Sequence, residues 1–327
     1  MILEDAEQLV KVLNKENNHV ILKSANRLYS NRDKSILEDY IQAAVKYFAA
    51  DVKSVDFTSN PEGSRQEINK WVEEVTNEKI KNMLPSGTID TLTRMVVANA
   101  IYFKENCSRP FETRRTKKAN FHTLGGQSVK VAMMQRTMHY PRFGENKDFN
   151  CRVLQLPYIG DEMAMVVLLP KTVDGLLEME KSIDLVTLNQ CIKNETFAPN
   201  FEVFIPKFKI ESSLQLSGTL SALGMPDVFD ESKADLSGMG NELCVSKVFH
   251  KAFVDVNEEG TEAAADTCGN AVYASHISRT WSSFEADHPF MFMIWHYELN
   301  APLFIGRFTG PTSELCIKRI QQGEVIF

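Results

Sequence analysis

The chain has 327 residues, of which 43% are hydrophobic and 24% are charged, a balance typical of a soluble globular protein. No stretch approaches the roughly 20 consecutive apolar residues of a membrane span. The formal net charge of −7 argues against a general nucleic-acid binder, which carries a basic surface. We therefore expect neither a membrane nor a nucleic acid as a partner.

The first third of the chain predicts three amphipathic helices. Apolar residues recur with helical spacing over residues 2–13 and again over residues 35–49. A third helical pattern covers residues 67–83, and the sequence Leu84-Pro85-Ser86-Gly87 marks its end.

The remainder of the chain is dominated by predicted strands. They are residues 95–103, 129–134, 151–156, 163–169 and 200–210. Residues 213–223 predict a helix that ends at Gly224, and residues 292–297 and 303–307 predict a terminal hairpin. No internal repeat or long linker divides the chain, which predicts one mixed α/β domain.

Residues 248–268 join a strand to a run of very small side chains. Residues 248–256 alternate loosely between apolar and polar, and Gly260 then gives a flexible joint. In an extended chain, one face of the next stretch would carry Thr261, Ala263, Ala265 and Thr267. The other face would carry Glu262, Ala264, Asp266 and Cys268. Such a segment can lie in solvent as a loop or enter a sheet with its small, uncharged face buried.

This segment resembles the hinge of the serpins, the serine protease inhibitor superfamily. The matching hinge residues are Glu258, Glu259, Gly260, Thr261, Glu262, Ala263, Ala264 and Ala265. Further stretches resemble serpin motifs in the family's order: residues 22–29, 68–80, 99–104, 284–292 and 303–308. The resemblance implies an α+β fold with a large mixed central β-sheet, further sheets, helices packed around them and a mobile reactive loop. It also implies a single domain over residues 1–311, followed by a C-terminal extension over residues 312–327.

The resemblance implies that the protein is a suicide substrate for a protease. The target, a serine endopeptidase or a cysteine protease, would cleave the loop, and the freed hinge would insert into the central sheet. The family's spacing from Gly260 places the reactive bond at Ala274-Ser275, with Tyr273 and then Arg279 as alternatives. An alanine there suits a protease with a small primary pocket, such as an elastase.

The resemblance also implies a structural role for Asn99 and His250. They match the shutter region, where a His–Asn hydrogen bond holds the central sheet closed.

The sequence carries no G-x-S-x-G elbow and no glycine-rich phosphate loop, so we expect neither an enzyme nor a cofactor. We expect a monomer, with the family favouring the extracellular space and a cytoplasmic location left open, since no cleavable signal is visible.

The cysteines show no metal-binding pattern. Cys107, Cys151, Cys191, Cys244, Cys268 and Cys316 are spaced neither as C-x-x-C nor as zinc ligands with histidine. We expect most of them to be buried or surface thiols.

Two departures from the family pattern favour an alternative function. Cys107 stands where serpins carry a tryptophan next to the point of loop entry. Few residues precede the segment at residues 22–29, so the chain looks N-terminally shortened, and we expect its central sheet to lack cover and stability. The alternative is a non-inhibitory serpin or a shortened isoform, acting as a binding module or as a plain protease substrate.

Overall fold

The protein's structure, a computed structural model, describes residues 2–13, 20–105, 107–193, 201–258 and 282–311. The chain divides into two compact units. The first unit is built from residues 1–104 and 209–254, and the second from residues 105–208 and 255–327. In the part of the chain that the structure describes, no helix has the length and apolar character needed to cross a membrane.

The described residues contain six α-helices and fourteen strands. The helices are α1 (Ile2–Leu13), α2 (Glu38–Phe48), α3 (Pro61–Val75), α4 (Leu176–Ser182), α5 (Leu185–Lys193) and α6 (Ser217–Ala222). The strands are β1 (Val20–Asn31), β2 (Asp51–Val55), β3 (Met95–Glu105), β4 (Lys117–His122), β5 (Ser128–Met138), β6 (Arg142–Asn146), β7 (Cys151–Pro157), β8 (Met163–Pro170), β9 (Phe201–Pro206), β10 (Phe208–Gln215), β11 (Lys247–Val256), β12 (Ser282–Glu285), β13 (Phe290–His296) and β14 (Ala301–Phe308).

The first unit is organised around a five-stranded sheet in the order β10-β11-β3-β1-β2. Two of its neighbouring pairs, β1 with β2 and β11 with β3, run parallel. The main core of this unit contains Ile68 and Val72 of α3 together with Tyr29, Val96 and Phe249 from three strands. Helix α3 therefore covers one face of the sheet, and the prediction of a large central sheet with a packed helix is confirmed.

Local side-chain contacts set both ends of α3. The Asn60 side chain accepts a hydrogen bond from the backbone N–H of Gly63 at 3.0 Å, and Pro61 follows as the first helical residue. At the other end, the Thr76 hydroxyl donates to the backbone oxygen of Val72 at 2.6 Å, and Asn77 then takes a positive φ of 52°. The predicted helix over residues 67–83 is thus wrong at both boundaries.

A buried asparagine explains why the helical pattern continues beyond the helix. The Asn69 side chain accepts from the backbone N–H of Leu84 at 2.8 Å and donates to its backbone oxygen at 3.0 Å. This pair of bonds folds the following chain back against α3, which buries Ile80, Met83 and Leu84 without a helix. Their apolar spacing therefore reports burial rather than helical structure.

The second unit contains two sheets. One has four strands in the order β12-β9-β5-β4, and the other has five antiparallel strands in the order β14-β13-β8-β7-β6. Every residue of β8 and β13 is buried, as expected for central strands covered on both faces. The predicted terminal hairpin is confirmed as the antiparallel pair β13 and β14.

Two predicted elements around residue 207 differ from the structure. The alternating stretch at residues 200–210 forms two strands in different sheets, β9 in the second unit and β10 in the first. Pro206, which has no N–H for a ladder, ends β9. Strand β10 continues to Gln215, so the helix predicted from residue 213 begins only at Ser217. The alternation of apolar and polar residues correctly predicts strand structure here, but it carries no information about which sheet a strand joins.

Candidate functional site

The boundary between β3 and β11, which we call the seam, is a parallel pairing without interruption. Its register runs from Lys247 opposite Val96 to Val254 opposite Phe103. On the far sides, β11 has β10 as its neighbour and β3 has β1. Neither strand therefore has an open edge along the seam, and a further strand can enter there only if these pairs separate.

The two faces of the seam differ in their cover. On the α3 side, Ala98 and Ala100 are completely buried, and their small side chains lie in the core that α3 completes. On the opposite side, Val97, Ile101 and Ala252 are only half-buried. The strands are apolar on both faces, as their sequences predict, but only one face is fully covered by the described residues.

A hydrogen-bonded chain of polar side chains crosses the seam. Nδ1 of His250 lies 2.5 Å from Oδ1 of Asn99. The side-chain nitrogen of Asn99, Nδ2, donates a hydrogen bond to Oδ1 of Asn26. Because Oδ1 of Asn99 is an acceptor, Nδ1 of His250 carries the proton. Burial lowers the pKa of His250, which favours the neutral ring. The structure thus brings together the two predicted shutter residues and links β11, β3 and β1 through them.

Lys251, the next residue of β11, makes a second connection. Its Nζ donates to the backbone oxygen of Lys81 at 2.5 Å and pairs with Oε1 of Glu211 at 2.6 Å. The Lys251 side chain is only 7% exposed. It therefore ties β11 to β10 and to the segment that follows α3. The sequence pattern missed this role, since a lysine inside a strand normally predicts a solvent-facing position.

Glu258, the one predicted hinge residue within the described part of the chain, is anchored within the second unit. Its carboxylate lies 2.7 Å from Nζ of Lys207 and accepts from the Thr116 hydroxyl at 2.9 Å. Its backbone oxygen accepts from the N–H of Phe111 at 2.6 Å. Burial alone would raise the pKa of Glu258, but the hydrogen bonds from Lys207, from the backbone and from Thr116 together outweigh it and lower the pKa. Glu258 is thus a buried, ionised anchor at the base of the predicted loop.

Comparison with known proteins decides the family. The model of the family described as "Serpin (serine protease inhibitor)" matches residues 2–311. The chain belongs to the serpin family. The leukocyte elastase inhibitor of Equus caballus is 41% identical over 306 residues, covering 91% of this chain and 80% of the relative. The leukocyte elastase inhibitor of Homo sapiens is 40% identical over the same length, with the same coverage of both chains.

Solved structures of serpins confirm the fold. The crystal structure of Serpin48, a highly specific serpin of the insect Tenebrio molitor, matches with a TM-score of 0.81 and 32% identity. The match covers 94% of this chain and 82% of that structure. Both the family and the α+β serpin fold predicted from the sequence are therefore confirmed.

Most of the predicted serpin hinge and reactive bond lies beyond the described residues. Glu259 to Ala265 lie there, as do Tyr273, Ala274, Ser275 and Arg279, and their roles stay predictions. Of the predicted site residues, the structure places Asn99, His250 and Glu258.

The residue that replaces the serpin tryptophan lies in a buried setting. Cys107 is 8% exposed, and its backbone forms an isolated bridge with Tyr158. A buried guanidinium accompanies it, that of Arg136, which stacks over the Phe111 ring at 4.8 Å. Burial lowers the pKa of Arg136 to about 10, while the negative charge that Cys107 can carry acts in the opposite direction. The cysteine that stands at the position of the serpin tryptophan is therefore buried.

Proposed function

We propose that this serpin inhibits a serine endopeptidase as a suicide substrate, and we call the stretch from the hinge at Glu258 through the reactive bond at Ala274-Ser275 the bait segment. The protease cleaves the bait segment and is held as an acyl-enzyme. The freed hinge, from Gly260 onwards, then inserts between β3 and β11 as a new strand. The trapped ester no longer hydrolyses because the protease is distorted during this movement.

The topology of the seam is the observation that carries this proposal. The hinge follows directly from the carboxyl end of β11, and β11 and β3 run parallel. A chain that leaves β11 and turns back must run antiparallel to β11. Because β3 has the same direction as β11, the returning chain is antiparallel to both neighbours. The seam can therefore accept the hinge as a strand with antiparallel pairing on each side.

The hydrogen-bond balance favours insertion. Insertion breaks the pairing from Lys247 to Val254 with β3 and replaces it with two antiparallel ladders of similar length. The gain is one ladder of about ten bonds at ~0.5–1.5 kcal/mol each, on the order of 10 kcal/mol. Antiparallel pairs are also slightly more stable per residue than parallel pairs. The uncleaved form is consequently a kinetically trapped state.

The small residues of the hinge match the covered face of the seam. A strand inserted beside Ala98 and Ala100 would meet a face that α3 already closes. The uncharged hinge face of Thr261, Ala263 and Ala265 can be buried there without an unpaired charge.

We propose an elastase-like enzyme as the target. Ala274 at the proposed reactive bond fits the small primary pocket of elastase-type proteases. The relatives at 40–41% identity are named leukocyte elastase inhibitors, which supports the same assignment.

A protease panel tests the proposal. The full chain is incubated with elastase-, chymotrypsin- and trypsin-type serine proteases and with a papain-type cysteine protease. We expect a complex with the elastase-type enzyme that survives boiling in detergent. The same enzyme with its nucleophilic serine changed to alanine is the matched control and should give no such complex. Cleavage of the bait segment without any stable complex would overturn the proposal and support the non-inhibitory alternative.

A further inference from the structure

Two cysteines of the second unit lie side by side in its core. Cys151 is the first residue of β7, and Cys191 lies near the end of α5. They are 0% and 1% exposed, and they share a core with Leu188 and Trp295. Their thiols are hydrogen-bonded to each other. The fold thus brings together two cysteines that are 40 residues apart in the sequence.

The surroundings of the two thiols are not equivalent. The hydrogen bond between the two thiols, together with burial, raises the pKa of Cys151. The same bond lowers the pKa of Cys191, as does a hydrogen bond from Asn146, and together they outweigh burial. The geometry agrees, because Oδ1 of Asn146 already accepts from the N–H of Phe149 at 2.8 Å, which leaves its amide hydrogens to donate. The lowered pKa of Cys191 favours its thiolate, which is the form that attacks a disulfide.

We propose that Cys151 and Cys191 form a reversible disulfide when the protein meets a small-molecule disulfide. The Cys191 thiolate attacks one sulfur of the small disulfide, and the first small thiolate leaves. The Cys151 thiol gives up its proton, its sulfur attacks Cys191 in the mixed disulfide, and the second small thiolate leaves. The two departing thiolates each take up one proton. Two protein thiols are thus oxidised while one small disulfide is reduced to two small thiols.

Helix α5 gives the reagent a route to the buried sulfurs. The helix has nine residues, fewer than an isolated helix needs for stability in water. It is held by the buried side chains of Leu188 and Ile192 and by a bond of 2.8 Å from Nε2 of Gln155 to the backbone oxygen of Ile192. Local opening of so short an element exposes Cys191 without unfolding the sheet.

The disulfide would fix α5 to β7. Once Cys191 is bonded to Cys151, the helix can no longer separate from the strand, so its opening is suppressed. The backbone amides of α5 should then exchange more slowly than in the reduced protein. This effect is confined to the second unit and does not depend on the proposed function.

A glutathione titration tests the proposal on the full chain. The reduced protein is equilibrated without oxygen in mixtures of reduced and oxidised glutathione, quenched with acid and an alkylating agent, and digested. Mass spectrometry without reductant then detects peptides joined through Cys151 and Cys191. Cys244→Ala is the matched control, since Cys244 is also a buried thiol but belongs to the first unit.

We expect the joined peptides in the unmodified protein and in Cys244→Ala, and we expect their loss on adding dithiothreitol. In Cys151→Ala, Cys191 should accumulate as the mixed disulfide with glutathione, whereas in Cys191→Ala the thiol of Cys151 should stay reduced. The proposal is overturned if both thiols of the folded protein remain alkylatable in oxidised glutathione alone, while the same chain in urea becomes oxidised.

Discussion

At the scale of single residues, Glu258 has its charge satisfied inside the fold. It is 6% exposed and bonded to Lys207 and Thr116. We predict that Glu258→Gln lowers the free energy of unfolding by about 1–3 kcal/mol, since the ammonium and the hydroxyl lose their charged acceptor. Urea titration of both proteins measures the difference.

A surface pair provides the control for this change. Glu178 pairs with Lys181 at 2.8 Å, but its side chain is 79% exposed. Glu178→Gln should therefore shift the urea midpoint very little. Equal effects of the two substitutions would show that the anchoring of Glu258 adds no stability.

His250 makes the stability of the protein depend on pH. Burial places the folded pKa of His250 below the usual histidine value of about 6.5, so the neutral ring contributes stability that is complete above this value. That contribution is lost as the pH falls through the folded pKa. We predict that the unmodified protein loses more thermal stability than His250→Gln between about pH 8 and pH 5.5. Parallel pH profiles of the two proteins would disprove this role.

The comparison between the two proteins is needed because a second histidine acts in the opposite direction. Burial would lower the pKa of His288, but its hydrogen bonds to Asp287 and to the backbone oxygen of Pro170 raise it overall. His288 therefore contributes stability below its unfolded pKa and loses it as the pH rises through the folded pKa. This term is present in both proteins and cancels in their difference.

Ala274 is the residue on which specificity is predicted to depend. We predict that Ala274→Arg turns the protein into an inhibitor of a trypsin-like protease, whose primary pocket carries a carboxylate that binds arginine. The mass of the C-terminal peptide released by that protease locates the cut. A cut after Arg279 in the unmodified protein would move the reactive bond.

At the scale of elements, the inserting strand has two faces with different tolerance. We predict that Thr261→Arg turns the inhibitor into a substrate, because burying an unpaired guanidinium costs several kcal/mol and slows insertion. The acyl-enzyme would then hydrolyse before the protease is trapped. The number of serpin molecules consumed per trapped protease measures this outcome.

Glu262→Arg is the control, since its side chain belongs to the opposite, charged face of the extended hinge. It introduces the same side chain one position away and should leave the stoichiometry near that of the unmodified protein. If both variants trap protease equally well, the hinge does not insert with Thr261 inward.

The elements that the sequence predicted well are those with one dominant period. Strand β11 and helix α1 match their predicted bounds within one residue. Helical spacing of apolar residues gave a wrong prediction after α3. Ile80 and Met83 are buried because the Asn69 side chain hydrogen-bonds the backbone of the segment that follows, and they are not part of a helix. The predicted site shows the same limit, because the period of β11 could indicate a strand but could not reveal that Lys251 reaches the backbone of Lys81.

At the scale of the whole molecule, the uncleaved protein should be far from its most stable form. We predict that cleaving the bait segment with a protease that is not inhibited raises the melting temperature by about 20 °C. The reason is the added ladder of about 10 kcal/mol, at roughly 2 °C per kcal/mol, the low end of the range for large domains. Calorimetry before and after cleavage measures the shift. A melting temperature that stays the same or falls would exclude insertion into the seam.

The seam also sets the order of events during synthesis. His250 follows Asn99 by 151 residues, and ribosomes add about 5–20 residues per second, so β11 emerges some 8–30 s after β3. For that time the β11-facing edge of β3 lacks its final partner, and such an edge can pair with other chains. Strands β4 to β9 of the second unit are completed within the same interval. Strands β4 to β9 of the second unit are therefore synthesised before β10 and β11, the last strands of the first unit's sheet.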